Sequence, residues 1–112
     1  MYSPAIVETH HIHKLDAPSG TAITLANGII EVNHHYTKYT DAKSGTGEIP
    51  IQSIRDGNVP GTHTITWNSD TDKITLMHET KNRSGLAFGA VMAASWVKDR
   101  HGVFTMKDML NL

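Results

Sequence analysis

The sequence of 112 residues contains no cysteine, which excludes disulfide bonds, cysteine-based zinc sites and thiol nucleophiles. It also lacks any apolar run near the ~20 residues that cross a bilayer, and its first residues show no secretion-signal pattern. Ten Lys and Arg against eleven Asp and Glu leave a net charge of −1, so no basic excess attracts nucleic acid. We therefore expect one cytoplasmic domain with neither a membrane nor a nucleic-acid partner.

Histidine, by contrast, is abundant, with eight copies, five of which lie between His10 and His35. Three of these imidazoles and Lys14 fall within five residues, at the end of a strand predicted over 5–8. Histidine titrates near neutral pH and suits general acid or base catalysis, while lysine adds a cation. The metal-site alternative is weak, because adjacent His10 and His11 would point to opposite faces of an extended strand, leaving only His11 and His13 on one face. We predict no metal site.

The segment 16–21, Asp-Ala-Pro-Ser-Gly-Thr, has the composition of a helix start. The backbone N–H groups of Gly20 and Thr21 would lie in the first turn without an intrahelical acceptor, where they and the helix dipole favour an anion. Glycine lets a ligand approach closely, and the Thr21 hydroxyl adds a donor. Acid–base groups beside an anion cradle predict a small carboxylate ligand that undergoes proton transfer. An ordinary helix cap preceded by surface histidines is the alternative.

Hydrophobic spacing and turn residues predict an α+β fold in the order β-α-β-β-β-α, ending in a further short helix over 107–112. The expected elements are a strand at 5–8, a helix at 19–32, a long loop at 33–48, three strands of a meander at 49–55, 62–68 and 73–80, and a helix at 84–98. We expect a mixed sheet with helices on one face and Ile, Trp, Met and Thr on the open face. Such a face is often covered by a second copy, so we expect a homo-oligomer.

The stretch from Glu8 to Ala22 closely resembles the signature E-x-H-H-x-x-K-x-D-x-P-S-G-T-A of the bacterial 4-hydroxy-tetrahydrodipicolinate reductase (dihydrodipicolinate reductase) family. The stretch from Arg55 to His63 resembles the R-x-G-x-x-x-G-x-H hairpin of that family. The resemblance implies NADPH- or NADH-dependent reduction of a cyclic dicarboxylate in lysine and diaminopimelate biosynthesis, by a homotetramer.

The same resemblance assigns roles to five residues. It makes His10 a proton donor and acceptor, and Lys14 a proton donor. The substrate carboxylates would be bound by His11, Gly20 and Thr21.

The family also has an N-terminal Rossmann domain with a G-x-x-G-x-x-G phosphate loop, and these 112 residues contain no such loop. The nearest pattern, Ser44-Gly45-Thr46-Gly47, lacks the third glycine, a preceding strand and a following helix. We therefore expect residues 1–112 to form only the C-terminal, substrate-binding domain, truncated before the nucleotide domain and with little activity alone. The alternative is a stand-alone dicarboxylate-binding or assembly module without redox chemistry.

Overall fold

Residues 1–81 form a five-stranded mixed sheet with one helix against it. The computed structural model describes residues 1–112 and divides into two units, Met1–Lys81 and Asn82–Leu112. The elements of the first unit are β1 (Ser3–His10), α1 (Gly20–Val32), β2 (Lys38–Thr40), β3 (Glu48–Arg55), β4 (Gly61–Asn68) and β5 (Lys73–Thr80). The α+β class and the mixed sheet predicted from the sequence are confirmed.

The core lies between α1 and the centre of the sheet. Ala22, Ala26 and Ile29 recur at the spacing of one helix face and are buried against Ile6 of β1 and two isoleucines of β3. The predicted start of this helix is also confirmed. Ser19 is the N-cap, and its hydroxyl oxygen accepts a hydrogen bond of 3.2 Å from the backbone N–H of Ala22.

The sheet order is β2-β3-β1-β4-β5, and it corrects the predicted meander. Strand β1 lies between β3 and β4, parallel to the first and antiparallel to the second. Segment 56–60 is therefore not a hairpin turn, because it passes across the end of β1 to reach β4. Only β4 and β5 form a true antiparallel hairpin.

The predicted loop at 33–48 also contains a short strand that the sequence analysis missed. Residues 38–40 form β2 and pair in parallel with 48–50 of β3, so that the sheet gains an edge strand. Three residues are too few to show a hydrophobic period, and only the neighbouring strand makes them extended. The cross-strand pair Lys38–Glu48 carries a salt bridge of 2.9 Å.

The residues on the open face differ in part from those expected. Ile65 is paired with Ile6, and Trp67 lies two residues further along the same face, so both side chains are on the α1 side and pack at the edge of the core. The opposite face carries Val7 of β1, Met77 of β5 and the three threonines at 62, 64 and 66 of β4. The alternation of residue types along β4 correctly predicted which of its side chains share a face. Which of the two faces α1 covers is shown only by the register.

The second unit, residues 82–112, contains α2 (Ser84–Val97) and α3 (Met106–Leu110). The Trp96 and Phe104 rings meet edge to face with centroids 5.3 Å apart, and Thr105 and Asp108 form a capping box at the start of α3. Neither helix has a fully buried side chain. No helix in the protein has the length and apolar character that crossing a membrane requires.

Candidate active site

The candidate site lies where the carboxyl ends of β1 and β3 meet. Because these strands are parallel, their last residues, His10 and Arg55, are register partners at one edge of the sheet. The segments that follow them cross here. The backbone N–H of Asp56 donates to the His10 carbonyl over 2.8 Å, and that of Ile12 donates to the Gly57 carbonyl over 3.1 Å. The sheet order therefore brings together two motifs that are over forty residues apart in sequence.

Glu8 is the buried centre of this site, with none of its surface exposed. Arg55 donates one hydrogen bond of 3.0 Å to each of its carboxylate oxygens. His10 Nδ1 lies 2.5 Å from Oε2, and the backbone N–H of Ser19 donates to Oε1 over 3.1 Å. Burial alone would raise the pKa of the Glu8 carboxyl, but hydrogen bonds from Arg55 and His10 outweigh it and hold this pKa at about 2. Glu8 is therefore an ionised carboxylate at neutral pH.

Arg55 also fixes the loop that follows β1. Its Nε donates to the Lys14 carbonyl over 3.2 Å, and its Nη2 donates to the Asp16 carbonyl over 2.7 Å. The Lys14 ammonium is 3.0 Å from the Asp16 carboxylate and lowers the pKa of that carboxyl. Arg55 thus holds the backbone of Lys14, the predicted proton donor, and the Glu8 carboxylate that contacts His10.

His63 connects the site to the start of α1. Its Nε2 lies 2.9 Å from the Ser19 hydroxyl, and its ring meets the His10 ring edge to face at 5.1 Å between centroids. Burial and the neighbouring His10 lower the pKa of the His63 imidazole, so this ring is neutral at neutral pH. His63 therefore holds the helix cap without adding a charge.

Gly20 and Thr21 are the first two residues of α1, beside this network. Gly20 is exposed, and a Cβ added to it would meet no atom within 4 Å, so the space above the helix end is open. The N-cap side chain bonds to the third N–H of the helix, which leaves the first two as the orphan donors expected at a helix start. Gly20 and Thr21 therefore have the free N–H groups of any helix start, and anion binding by them stays a prediction.

His11 and His13 lie in the loop rather than on a strand, because β1 ends at His10. The strand-face argument that separated His10 from His11 therefore does not apply. The rings of His11 and His13 lie 6.2 Å apart between centroids. His11 follows directly on His10 and remains next to the site.

A metal ion has a different set of candidate ligands from the one considered in the sequence. Glu8, His10 and His63 offer ligand atoms that lie within 4.8 Å of one another. However, the Arg55 guanidinium occupies both oxygens of Glu8, and its charge would repel a cation. The Nε2 of His63 faces Ser19 rather than the carboxylate. This cluster is better explained as a hydrogen-bond network.

Each fixed position of the R-x-G-x-x-x-G-x-H motif now has a physical reason. Arg55 binds Glu8, and His63 binds the helix cap. Gly57 has φ +48°, a left-handed conformation that favours glycine, and its carbonyl accepts from the loop after β1. Gly61 has φ +157°, and a Cβ there would lie 3.0 Å from Nε2 of His10. Glycine is therefore needed at this position because the His10 ring packs directly against the backbone.

Glu8, Arg55 and His63 had no predicted role and Ser19 only that of a helix start, although all four lie within the two motifs. Their charged and polar side chains at strand and helix ends were a usable signal. Their partners could not be found, because the pairing depends on β1 lying between β3 and β4.

Residues 1–110 match the family model described as dihydrodipicolinate reductase, C-terminus. The chain belongs to this family. It is 52% identical over 110 residues to a 4-hydroxy-tetrahydrodipicolinate reductase of Christiangramia forsetii, an alignment that covers 98% of this chain and 46% of the relative. A reductase of the same name from Alkaliphilus oremlandii is 40% identical over 113 residues, which cover 96% of this chain and 47% of that one.

A solved structure is also similar to this chain. It is described as dipicolinate-bound dihydrodipicolinate reductase from Paenisporosarcina sp. TG-14, with a TM-score of 0.64 and 31% identity. The match covers 85% of this chain and 39% of that chain. The chain thus spans about half the length of the curated relatives it matches, and somewhat less of the solved structure.

Proposed function

We propose that this chain binds the substrate of a 4-hydroxy-tetrahydrodipicolinate reductase and supplies the proton in the reduction of that cyclic dicarboxylate, a step of lysine and diaminopimelate biosynthesis. The observation that carries the proposal is the placement of an acid–base histidine, His10, beside the exposed N-terminal turn of α1. The family match and the dipicolinate in the name of the structural relative support the choice of ligand.

In the proposed mechanism the two ends of the site have separate tasks. The backbone N–H groups of Gly20 and Thr21, with His11, bind the substrate carboxylates at the positive end of the α1 dipole. Lys14 donates the proton that the reduced ring requires, and His10 acts as proton donor and acceptor. Arg55 fixes the positions of Lys14 and His10 relative to each other through its hydrogen bonds to the Lys14 carbonyl and to Glu8.

The hydride in this reaction comes from NADPH or NADH when the nucleotide is bound. These 112 residues do not fit that cofactor, because the glycine pair at 45 and 47 leads into β3 and not into a helix that could bind phosphate. We therefore assign nucleotide binding to a separate Rossmann domain and derive no step through the nucleotide. We further propose that the reaction takes place in the cytoplasm.

We also propose that the open face of the sheet associates with other copies to form a homotetramer. At its centre that face carries Val7, Met77 and the threonines of β4, and the charged Lys73 and Glu79 lie only at the two ends of β5. Met77 is 59% exposed. An apolar residue on the open face of a sheet gains stability when another copy covers it.

The proposed ligand site is tested by calorimetric titration of the chain with pyridine-2,6-dicarboxylate. We expect the Lys14→Ala variant to bind 1.5–3 kcal/mol more weakly, about a 10- to 150-fold rise in Kd, because a charge-assisted hydrogen bond is lost. The matched control is Lys73→Ala, since Lys73 is exposed and pairs at the opposite end of β4 from Gly61. Its affinity should equal that of the wild type.

Two outcomes would contradict the proposal. A wild-type chain without measurable dicarboxylate affinity would refute the ligand site, and equal losses in the two lysine variants would refute the role of Lys14. Titration with NADPH and NADH then separates the reductase assignment from the stand-alone binding module. Tight nucleotide binding by these residues alone would contradict the assignment of that function to another domain.

A further inference from the structure

We propose that Glu8 is a positioning residue that keeps a proton on Nδ1 of His10, so that only Nε2 of this ring exchanges protons with the substrate. This inference rests on the proposed function, in which His10 is the acid–base group. It adds a role for the carboxylate behind the histidine and names the reacting nitrogen atom.

An ionised carboxylate only accepts hydrogen bonds. Glu8 is fully buried, and Arg55 donates to both of its oxygens. The 2.5 Å contact between Oε2 and His10 Nδ1 then requires a proton on that nitrogen. This holds for the neutral ring and for the imidazolium alike. The two protonation states of His10 therefore differ only at Nε2.

Glu8 stays ionised in its buried position because of its hydrogen-bond donors. Its oxygens receive four donors: two N–H groups of Arg55, the Nδ1–H of His10 and the backbone N–H of Ser19. The Arg55 guanidinium donates to both carboxylate oxygens at once, in the bidentate geometry that makes charge-assisted hydrogen bonds strong. These bonds keep the pKa of Glu8 far below neutrality. Glu8 therefore remains an acceptor while His10 gains and loses its proton.

The orientation of the His10 ring is also fixed. The His10 side chain is held from three sides: by the Glu8 carboxylate at Nδ1, by the edge of the His63 ring, and by the backbone of Gly61 next to Nε2. The contact with Glu8 uses Nδ1 alone, so Nε2 is the ring nitrogen that this carboxylate leaves available. A ring fixed in this way presents Nε2 to a ligand without a further change of rotamer or tautomer. The His10 ring is therefore already held in one orientation before a ligand binds, so no reorientation of the ring adds to the barrier.

The experiment reads the protonation site directly from the ¹⁵N chemical shifts of the imidazole nitrogens in the full 112-residue chain. The His10 signals are assigned by their loss in His10→Asn. At a pH where the ring is neutral, we expect the wild-type proton on Nδ1 and the lone pair on Nε2. In Glu8→Gln the four donors face an amide with a single acceptor oxygen, so we expect a mixture of tautomers.

Two control variants distinguish loss of the Glu8 positioning role from a general disturbance of the fold. Glu31→Gln removes an exposed carboxylate from α1, and it should leave the His10 signals unchanged. Glu8→Asp keeps the charge and should restore most of the Nδ1–H population, even if Glu8→Gln does not fold. A wild-type proton on Nε2, or a folded Glu8→Gln chain with a fully retained Nδ1–H signature, would overturn the inference.

The same samples distinguish this inference from the proposed function. Pyridine-2,6-dicarboxylate is added to the wild-type chain during the measurement. Failure to bind it would refute the proposed function and leave the assignment of the tautomer standing. Normal binding together with an Nε2-protonated His10 would refute the positioning role alone.

Discussion

Replacing Arg55 by methionine should destabilise the chain far more than the loss of an ordinary ion pair. Arg55 is the only side chain with two donors to the buried Glu8 carboxylate. Methionine preserves much of the side-chain volume and removes the charge. The variant therefore leaves an ionised carboxylate inside the protein without its counter-ion, which is among the costliest single changes known.

The magnitude follows from the pKa of Glu8. A folded-state pKa of about 2, against an ordinary value of 4.5, corresponds to about 3 kcal/mol of stability at neutral pH. Because the folded pKa is the lower one, this stability is complete above pH 4.5 and is lost as the pH falls towards 2. Without Arg55, burial raises the pKa of Glu8. The deficit of the variant at pH 7 should then be at least about 3 kcal/mol, and it should shrink as the pH falls from the raised pKa of the variant towards 2.

The free energy of unfolding is measured by urea titration between pH 7 and pH 2.5, at one protein concentration because oligomers gain stability with concentration. Trp67 fluorescence reports on residues 1–81 when Trp96 is replaced by phenylalanine in all samples. The control is Lys38→Met, which breaks the solvent-exposed pair with Glu48 and should cost less than about 1 kcal/mol. The reasoning is refuted if the two variants lose equal stability at pH 7, or if the Arg55 deficit stays constant down to pH 2.5.

Three further variants test other parts of the structure. Gly61→Ala should weaken pyridine-2,6-dicarboxylate binding in calorimetry, because its Cβ would lie 3.0 Å from His10 Nε2 and displace the ring; unchanged affinity would contradict this. Ser19→Ala should lower the free energy of unfolding by about 1 kcal/mol in urea titrations through loss of the helix cap, and a neutral effect would show that the cap is not needed. Met77→Glu should reduce the mass seen by light scattering from tetramer towards smaller species, whereas an unchanged mass would place the interface elsewhere.

The sequence by itself determined the local parts of this site. A capping serine before Gly20, and apolar residues at helical spacing behind it, suffice to start α1 and orient its free N–H groups. The clustering of His10, His11 and Lys14 after a short apolar strand was equally visible. These features depend on contacts within about four residues, so propensity and spacing reveal them.

Only the tertiary structure decided how the parts combine. The insertion of β1 between β3 and β4 turned an apparent hairpin into a crossing segment and brought Arg55 beside His10. The same register put His63 next to Ser19, forty-four residues away, and surrounded Glu8 with its four donors. Alternation along a strand shows that it has two faces, but not which strand lies beside it. The order of the strands depends on how the apolar faces of all strands and of α1 are buried together, so no local sequence pattern predicts it.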